Sequence, residues 1–145
     1  MIRRLKPLGA TTEELIEVYQ TQTRCISEFA VAAWNSGLTK AQINQLERVQ
    51  KCALAIILQE DYSSYSHALS TSNLESLQVR RHALCLKFAR KAHRHPKFTK
   101  WFCTNNRTGV GTRSEKDELK PVQYRTCRFE KSPLAYLTRL LNENQ

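Results

Sequence analysis

The chain has 145 residues, enough for one modest domain, and its hydrophobic and charged fractions of 41% and 25% argue against wholesale disorder. Four glycines and four prolines exclude a collagen-like or low-complexity protein. No apolar run approaches the roughly 18 residues of a membrane span, and the first residues lack the apolar stretch of a signal peptide. We therefore expect an intracellular protein, in the cytoplasm or the nucleus, that is not secreted.

The first predicted elements are helical. Residues 2–8 have the pattern of the last turns of a helix that began upstream, and Gly9 is a suitable stop, so we expect the chain to be part of a longer protein. Thr11 and Glu14 then form a capping box, which predicts a helix over 12–35. Its expected core positions recur at helical spacing and are Leu15, Val18, Tyr19, Ile26, Phe29, Ala30 and Ala33.

A second capping box, Thr39 to Gln42, predicts a helix over 40–58. The short connection makes the two helices an antiparallel hairpin, with Trp34 at least partly buried. The expected core positions of the second helix are Ile43, Leu46, Val49, Ala53, Ile56 and Ile57.

A short helix near 65–69 and a long helix follow. Asn73 is the expected N-cap of the long helix, which runs to His95 and stops before Pro96. Its expected apolar face comprises Leu74, Leu77, Leu84, Cys85, Phe88 and Ala92. Residues 122–129 favour an extended conformation, and Ser132 and Pro133 predict the start of a terminal helix.

These elements predict an all-α fold, a helical bundle built on an antiparallel helix hairpin and followed by a loop-rich C-terminal segment and a short terminal helix. The expected divisions are a helical domain over 1–102, a linker over 103–131 and a C-terminal helix over 132–145.

The net charge of +10 comes from one region. No acidic residue occurs between Glu75 and Glu115, and the rest of the chain is neutral. A helical conformation would place Arg80, Lys87 and Lys91, together with Arg94, within about 60° of one another on one face. Such a stripe usually indicates a polyanion, either nucleic acid or an anionic membrane surface, and the alternative is a solvated helix face. The candidate phosphate-binding residues are Arg80, Lys87, Arg90, Lys91, Arg94, Lys97 and Lys100.

Catalytic and metal-binding signatures are missing from the sequence. It has no nucleophile elbow, phosphate-binding loop or zinc-protease motif, so we expect no cofactor and no metal. The five cysteines include no closely spaced pair and indicate free thiols. A zinc site from His93, His95 and Cys103 matches no familiar spacing.

Several blocks of the sequence resemble the region after the catalytic palm of jockey-like non-LTR (LINE-type) retrotransposon reverse transcriptases. The segment RCISEFAVAAW, from Arg24 to Trp34, resembles the family's RPxLEYAxxVW, and LERVQKCALAII, from Leu46 to Ile57, resembles LERVQKRALRII. The blocks at 73–89 and 124–142 are similar to the next segments of that family. The departures are Cys25 for a Pro, Ser27 for an apolar residue, and Cys52 and Ala55 for basic residues.

The resemblance implies that residues 1–102 are the thumb and post-thumb helices of an RNA-directed DNA polymerase whose fingers and palm lie elsewhere. It implies RNA, DNA or an RNA–DNA hybrid as the partner. Polymerisation needs three carboxylates, including an Asp-Asp pair, to hold two Mg²⁺ ions. Because the chain has only Asp61 and Asp117, we expect no enzymatic activity from it alone. The residues expected to fix the hairpin are Arg24, Glu28, Phe29, Trp34, Glu47 and Arg48.

Two other hypotheses compete with a nucleic-acid-binding thumb. The chain is alternatively a helical protein-interaction module, a degenerate or domesticated remnant that forms a homodimer through apolar surface of the hairpin. A helix-turn-helix DNA-binding domain ranks last, because the 59–73 connection is too long for the tight turn of that motif.

Overall fold

The computed structural model describes residues 1–103 and 119–144 of the chain. No strand occurs within these two ranges, and the all-α prediction is confirmed. No described helix is both apolar and long enough to span a bilayer. The α-helices of the described part are α1 (Ile2–Leu5), α2 (Thr12–Val18), α3 (Cys25–Glu28), α4 (Val31–Trp34), α5 (Lys40–Leu58), α6 (Tyr65–Thr71), α7 (Leu77–Arg94), α8 (Cys127–Glu130) and α9 (Pro133–Glu143).

The chain forms two compact units. The first consists of Met1–Val31 and Leu38–Arg81, and the second of Ala32–Gly37 and the described residues from His82 onward. The first turn of α7 therefore belongs to the first unit and the rest of the helix to the second. The predicted division into 1–102, 103–131 and 132–145 stays a prediction, and residues 104–118 of the expected linker lie outside the described residues.

The first unit is built on the predicted hairpin. Near the start of the chain, the Lys6 ammonium donates a hydrogen bond to the carbonyl of Ile57. Further along, the Tyr19 hydroxyl donates to Oε1 of Gln50 at 3.2 Å. The later residue of the first segment, Tyr19, thus meets the earlier residue of α5, Gln50. The two segments therefore run antiparallel. The core of the first unit contains Ile2, Leu15, Tyr19, Ala53, Leu54, Ile57, Leu58, Ala68 and Leu74.

Local hydrogen bonds fix where these helices begin, as the sequence predicts. Oγ1 of Thr11 accepts from the backbone N–H of Glu14, and the Glu14 carboxylate accepts from the N–H of Thr11. Thr39 and Gln42 make the same reciprocal pair at the start of α5. Each box supplies partners for N–H groups that a helix leaves unpaired at its first turn. Gly9 is in the left-handed region with φ of 90°, as expected for the stop after residues 2–8.

The prediction of one continuous helix over 12–35 is wrong. The backbone is π-helical over Tyr19–Arg24, and the helix is interrupted after α3, where Ala30 has φ of 49°. A π-turn takes one more residue than an α-turn, so side chains beyond it rotate away from the face that a regular helix would bury. Ile26 and Phe29 are consequently 76% and 79% exposed, instead of lying in the core as expected. The predicted core positions Ala30 and Ala33, and Val49 on α5, are exposed as well.

The long helix begins later than expected. Asn73 has φ of 51° and lies before the helix, whereas α7 starts at Leu77. Oγ of Ser76 accepts from the backbone N–H of Val79 at 3.3 Å and takes the N-cap role that we assigned to Asn73.

In the second unit, α7 buries Cys85, Ala89 and Ala92, but Phe88 is 45% exposed, contrary to its expected place in the core. Helix α9 begins as predicted, with Oγ of Ser132 accepting from the N–H of Ala135. It buries Leu137, Thr138, Leu140 and Leu141. The expected extended segment 122–129 ends in the helical turn α8.

Candidate nucleic-acid interface

Glu47 makes hydrogen bonds to the start of α7 and to α6. Its Oε1 accepts from the backbone N–H of Leu77 at 3.1 Å and from the hydroxyl of Tyr65 at 2.6 Å. A carboxylate at this position satisfies a free N–H of the first turn and interacts favourably with the positive end of the helix. Glu47 on α5 thus holds α6 and α7 in place.

The apolar and basic faces of α7 follow from the helical period. The buried positions recur every three or four residues and are Leu77, Arg81, Cys85, Ala89 and Ala92. Lys87, Lys91 and Arg94 lie roughly opposite them, at about 100° of rotation per residue, and all three are exposed. Three of the four cations of the predicted stripe therefore face solvent.

We call six exposed cations of the second unit the basic surface: Lys87, Arg90, Lys91, Arg94, Lys97 and Lys100. Within residues 1–103 and 119–144, none of the six takes part in a salt bridge. Arg90 donates one hydrogen bond, from Nη2 to the backbone oxygen of Asn144 at 3.4 Å. Lys91 and Arg94 also lie in the last turn of α7, where positive charge offsets the negative end of the helix. That role accounts for part of the surface but not for Lys87, Lys97 or Lys100.

Arg80 has a different environment from the basic surface. Its Nε lies 3.2 Å from Oε1 of Glu28, and Nε of Arg24 lies 3.1 Å from the same oxygen. The side chains of Glu28 and Arg24 are each only 16% exposed. One partly buried carboxylate is thus shared by two guanidinium groups, which ties α3 to the start of α7 within the first unit.

The remaining residues of the expected hairpin motif have separate surroundings. Trp34 is partly buried, as predicted, although it belongs to the second unit. Arg48 is exposed and lines a shallow apolar groove in the first unit.

Aromatic rings follow directly after α7. The rings of His95 and Phe98 have centroids 5.2 Å apart, and those of Phe98 and Trp101 lie 4.8 Å apart with a tilt of 54°. Trp101 is 54% exposed, whereas the neighbouring Phe102 is 3% exposed and meets His93 edge to face. The helical turn Thr99–Trp101 therefore sends one aromatic side chain inward and leaves the other at the surface.

Sequence reasoning missed a buried polar network in the first unit. Gln50 is fully buried, accepts from Tyr19 and donates from Nε2 to the backbone oxygen of Glu75 at 2.8 Å. Burial raises the pKa of the Tyr19 hydroxyl to about 12. Burial, and then the hydrogen bond to Glu47, also raises the pKa of Tyr65. The available signal was Gln50 itself, a polar residue one helical turn from both Leu46 and Leu54.

The His, Cys, Asp and Glu side chains bear on metal-binding and thiol chemistry. Among the described residues, no group of three or more His, Cys, Asp or Glu side chains is arranged to hold a metal ion. None of the five cysteines forms a disulfide bond; Cys85 is buried and Cys25, Cys52, Cys103 and Cys127 are exposed. In comparisons with known proteins, no family, no curated protein and no solved structure matches this chain.

Proposed function

We propose that this chain is a nucleic-acid-binding module that holds an RNA–DNA hybrid through its phosphates and is not catalytic by itself. The observation that carries the proposal is the basic surface, six exposed cations without an acidic partner among the described residues. A solvated helix face usually mixes both signs of charge at i,i+4 spacing, and this one does not.

The spacing of the cations suits a phosphate backbone. Lys87 and Lys91 are one turn apart, which corresponds to a rise of about 6 Å along the helix. Phosphate contacts need positive charge within reach but no special geometry, so they position a strand without reading its sequence. We therefore expect binding with little sequence preference.

The sequence resemblance supplies the biological setting of the proposal. By resemblance, the chain corresponds to the thumb and carboxyl-terminal region of a LINE-type reverse transcriptase, and its partners include the fingers and palm of that polymerase. A thumb holds the hybrid while the palm carries out the chemistry, a division of roles that matches a basic helix.

The test is fluorescence anisotropy with labelled hybrid, duplex and single strand, from about 50 to 300 mM salt. If four to six phosphates are contacted, the slope of log K against log salt is roughly −3 to −5. The double substitution Lys87→Glu and Lys91→Glu should weaken binding to all three ligands and flatten this slope.

A matched control separates local from overall charge. Lys40→Glu with Lys131→Glu lowers the net charge by the same amount at two exposed positions outside the basic surface. This control should change binding much less. The proposal would be contradicted if the two double variants weakened binding equally, or if the affinity did not depend on salt concentration. Selective binding to anionic vesicles would instead indicate a membrane surface.

The non-catalytic part of the proposal has its own measurement. Primer extension with Mg²⁺ should stay at the level of a protein-free blank, because the chain lacks the paired aspartates of a polymerase. Extension above the blank would contradict it.

A protein-interaction module is the second candidate, and a specific observation favours it. The first unit has a groove of about 540 Å³ lined by apolar side chains that include Ile2, Val49 and Ile56, and it also exposes Ile26 and Phe29. Apolar surface of this kind often marks an interface. Light scattering would show a stable dimer, and Val49→Asp, in the wall of the groove, would dissociate it.

A further inference from the structure

The exposed indole of Trp101 needs an explanation beyond the fold. Its neighbours Phe98 and Phe102 are partly and almost fully buried, so the local core is filled without it. A single exposed aromatic residue is ordinary on a protein surface. Trp101, however, packs against Phe98 and lies in sequence beside Lys97 and Lys100, two of the cations of the basic surface.

Aromatic rings beside unpaired cations are the arrangement that binds single-stranded nucleic acid. Bases stack on aromatic side chains, and because every base has a π-face, stacking tolerates any sequence. The cations meanwhile hold the phosphates on either side. A base inside a duplex cannot stack on a protein ring, because its two faces are covered by its neighbours. The aromatic group therefore selects unpaired nucleotides.

We propose that Trp101, supported by Phe98, stacks against an unpaired base of a bound strand while the basic surface holds the adjoining phosphates. The inference rests on the proposed function and narrows its ligand to single-stranded nucleic acid, or to a hybrid with a single-stranded overhang. His95 extends the support, since its ring lies 5.2 Å from that of Phe98.

The experiment compares two strands that carry the same phosphates. One is an oligothymidylate of about 12 nucleotides, within the usual site size, and the other is an abasic strand of equal length. Full-length protein should bind the base-bearing strand about tenfold more tightly, the effect of one stacked base. Trp101→Ala should remove this preference and leave affinity for the abasic strand unchanged.

Intrinsic fluorescence gives a second, local readout. The chain has two tryptophans, Trp34 and Trp101. The base-bearing strand should quench the emission of Trp101, and in Trp101→Leu the remaining emission of Trp34 should not respond. Trp101→Phe keeps an aromatic face and should retain most of the preference. Circular dichroism of each variant checks that helix content is unchanged.

The outcomes separate this inference from the proposed function. If both strands bind equally and with the expected salt slope, the basic surface binds phosphates and the stacking role of Trp101 is wrong. If neither strand binds with salt dependence, the proposed function itself is wrong. Binding of anionic vesicles that depends on Trp101, without quenching by oligothymidylate, would overturn the inference in favour of a membrane contact.

Discussion

In the first unit, Glu28 lies between Arg24 and Arg80, whereas the six cations of the basic surface in the second unit have no acidic partner among the described residues. The first unit also contains carboxylate and amide groups that connect one helix to another, such as Glu47 and Gln50. These charged groups of the first unit thus contribute to folding, while the cations of the basic surface face solvent. Exposed charges without partners affect stability little, so they are available for binding.

The largest expected effect comes from removing Glu47. Glu47→Ala leaves the hydroxyl of Tyr65 and the N–H of Leu77 without their acceptor, and we expect a loss of about 2–4 kcal/mol in the free energy of unfolding. Urea denaturation followed by circular dichroism measures it. Glu47→Gln, which keeps an oxygen acceptor, should lose less.

The basic surface supplies the control for this comparison. Lys87→Glu with Lys91→Glu should cost less, about 0.5–1 kcal/mol, because both side chains are exposed and only Lys91 lies in the last turn of α7, where its charge interacts with the helix end. A similar loss for the Glu47 and Lys variants would remove the distinction between the two units.

The second prediction concerns alkaline pH. Burial raises the pKa of Tyr19 from 10.0 to about 12, so folding favours the protonated hydroxyl. Its contribution is complete below pH 10 and is lost as the pH rises from about 10 to about 12, a decrease of about 2–3 kcal/mol.

Comparison of wild type with Tyr19→Phe at each pH isolates this contribution. Tyr65 and Tyr136, whose pKa values are also raised by burial, are present in both proteins and cancel. The stability advantage of wild type over the variant should shrink above pH 10. A constant difference across this range would show that Tyr19 ionises in the folded state as freely as in the unfolded chain.

The smallest expected effect comes from releasing Arg80 from its ion pair, so that its charge can contact nucleic acid. Glu28→Gln keeps the size of the side chain but removes the negative charge that holds Arg80. Arg80 lies on the same helix as Lys87, two turns earlier. In the variant, the slope of log K against log salt should therefore become steeper by about 0.9, which corresponds to one more phosphate contact.

Glu17→Gln makes the same change of net charge at an exposed position of the first unit. It should leave the slope unchanged. If both variants steepen the slope equally, the effect reflects overall charge and not the release of Arg80.

Local features of this fold were predictable, while features set by distant contacts were not. The starts of α2 and α5 depend on hydrogen bonds between residues three apart, so the capping boxes predicted both. The interruption at Phe29–Ala30 involves neither glycine nor proline, and no local signal marks it. The start of α7 combines a local cap at Ser76 with a contact from Glu47, thirty residues earlier in the chain, and Asn73 lies outside the helix.

The candidate site was predictable to a similar extent. The basic surface follows from the helical period and the absence of acids over 76–114. The pairing of Arg80 with Glu28 joins residues 52 apart in the chain, so the sequence alone could not separate Arg80 from the other cations. The outward position of Trp101 depends on the short turn after α7, where a run of aromatic residues has no period to interpret.

The π-helical segment Tyr19–Arg24 has a consequence for how this sequence can change in length. A π-turn accommodates one residue more than an α-turn, so it is the form in which a helix absorbs an inserted amino acid. Deleting a single residue between Gln20 and Thr23 would restore α-helical phase beyond it, with Leu15 and Tyr19 still in the core. Because the π-turn already absorbs one extra residue, Ile26 and the residues after it would keep their present direction relative to Leu15 and Tyr19. A natural homologue one residue shorter here should therefore keep the same core and the same solvent-facing residues.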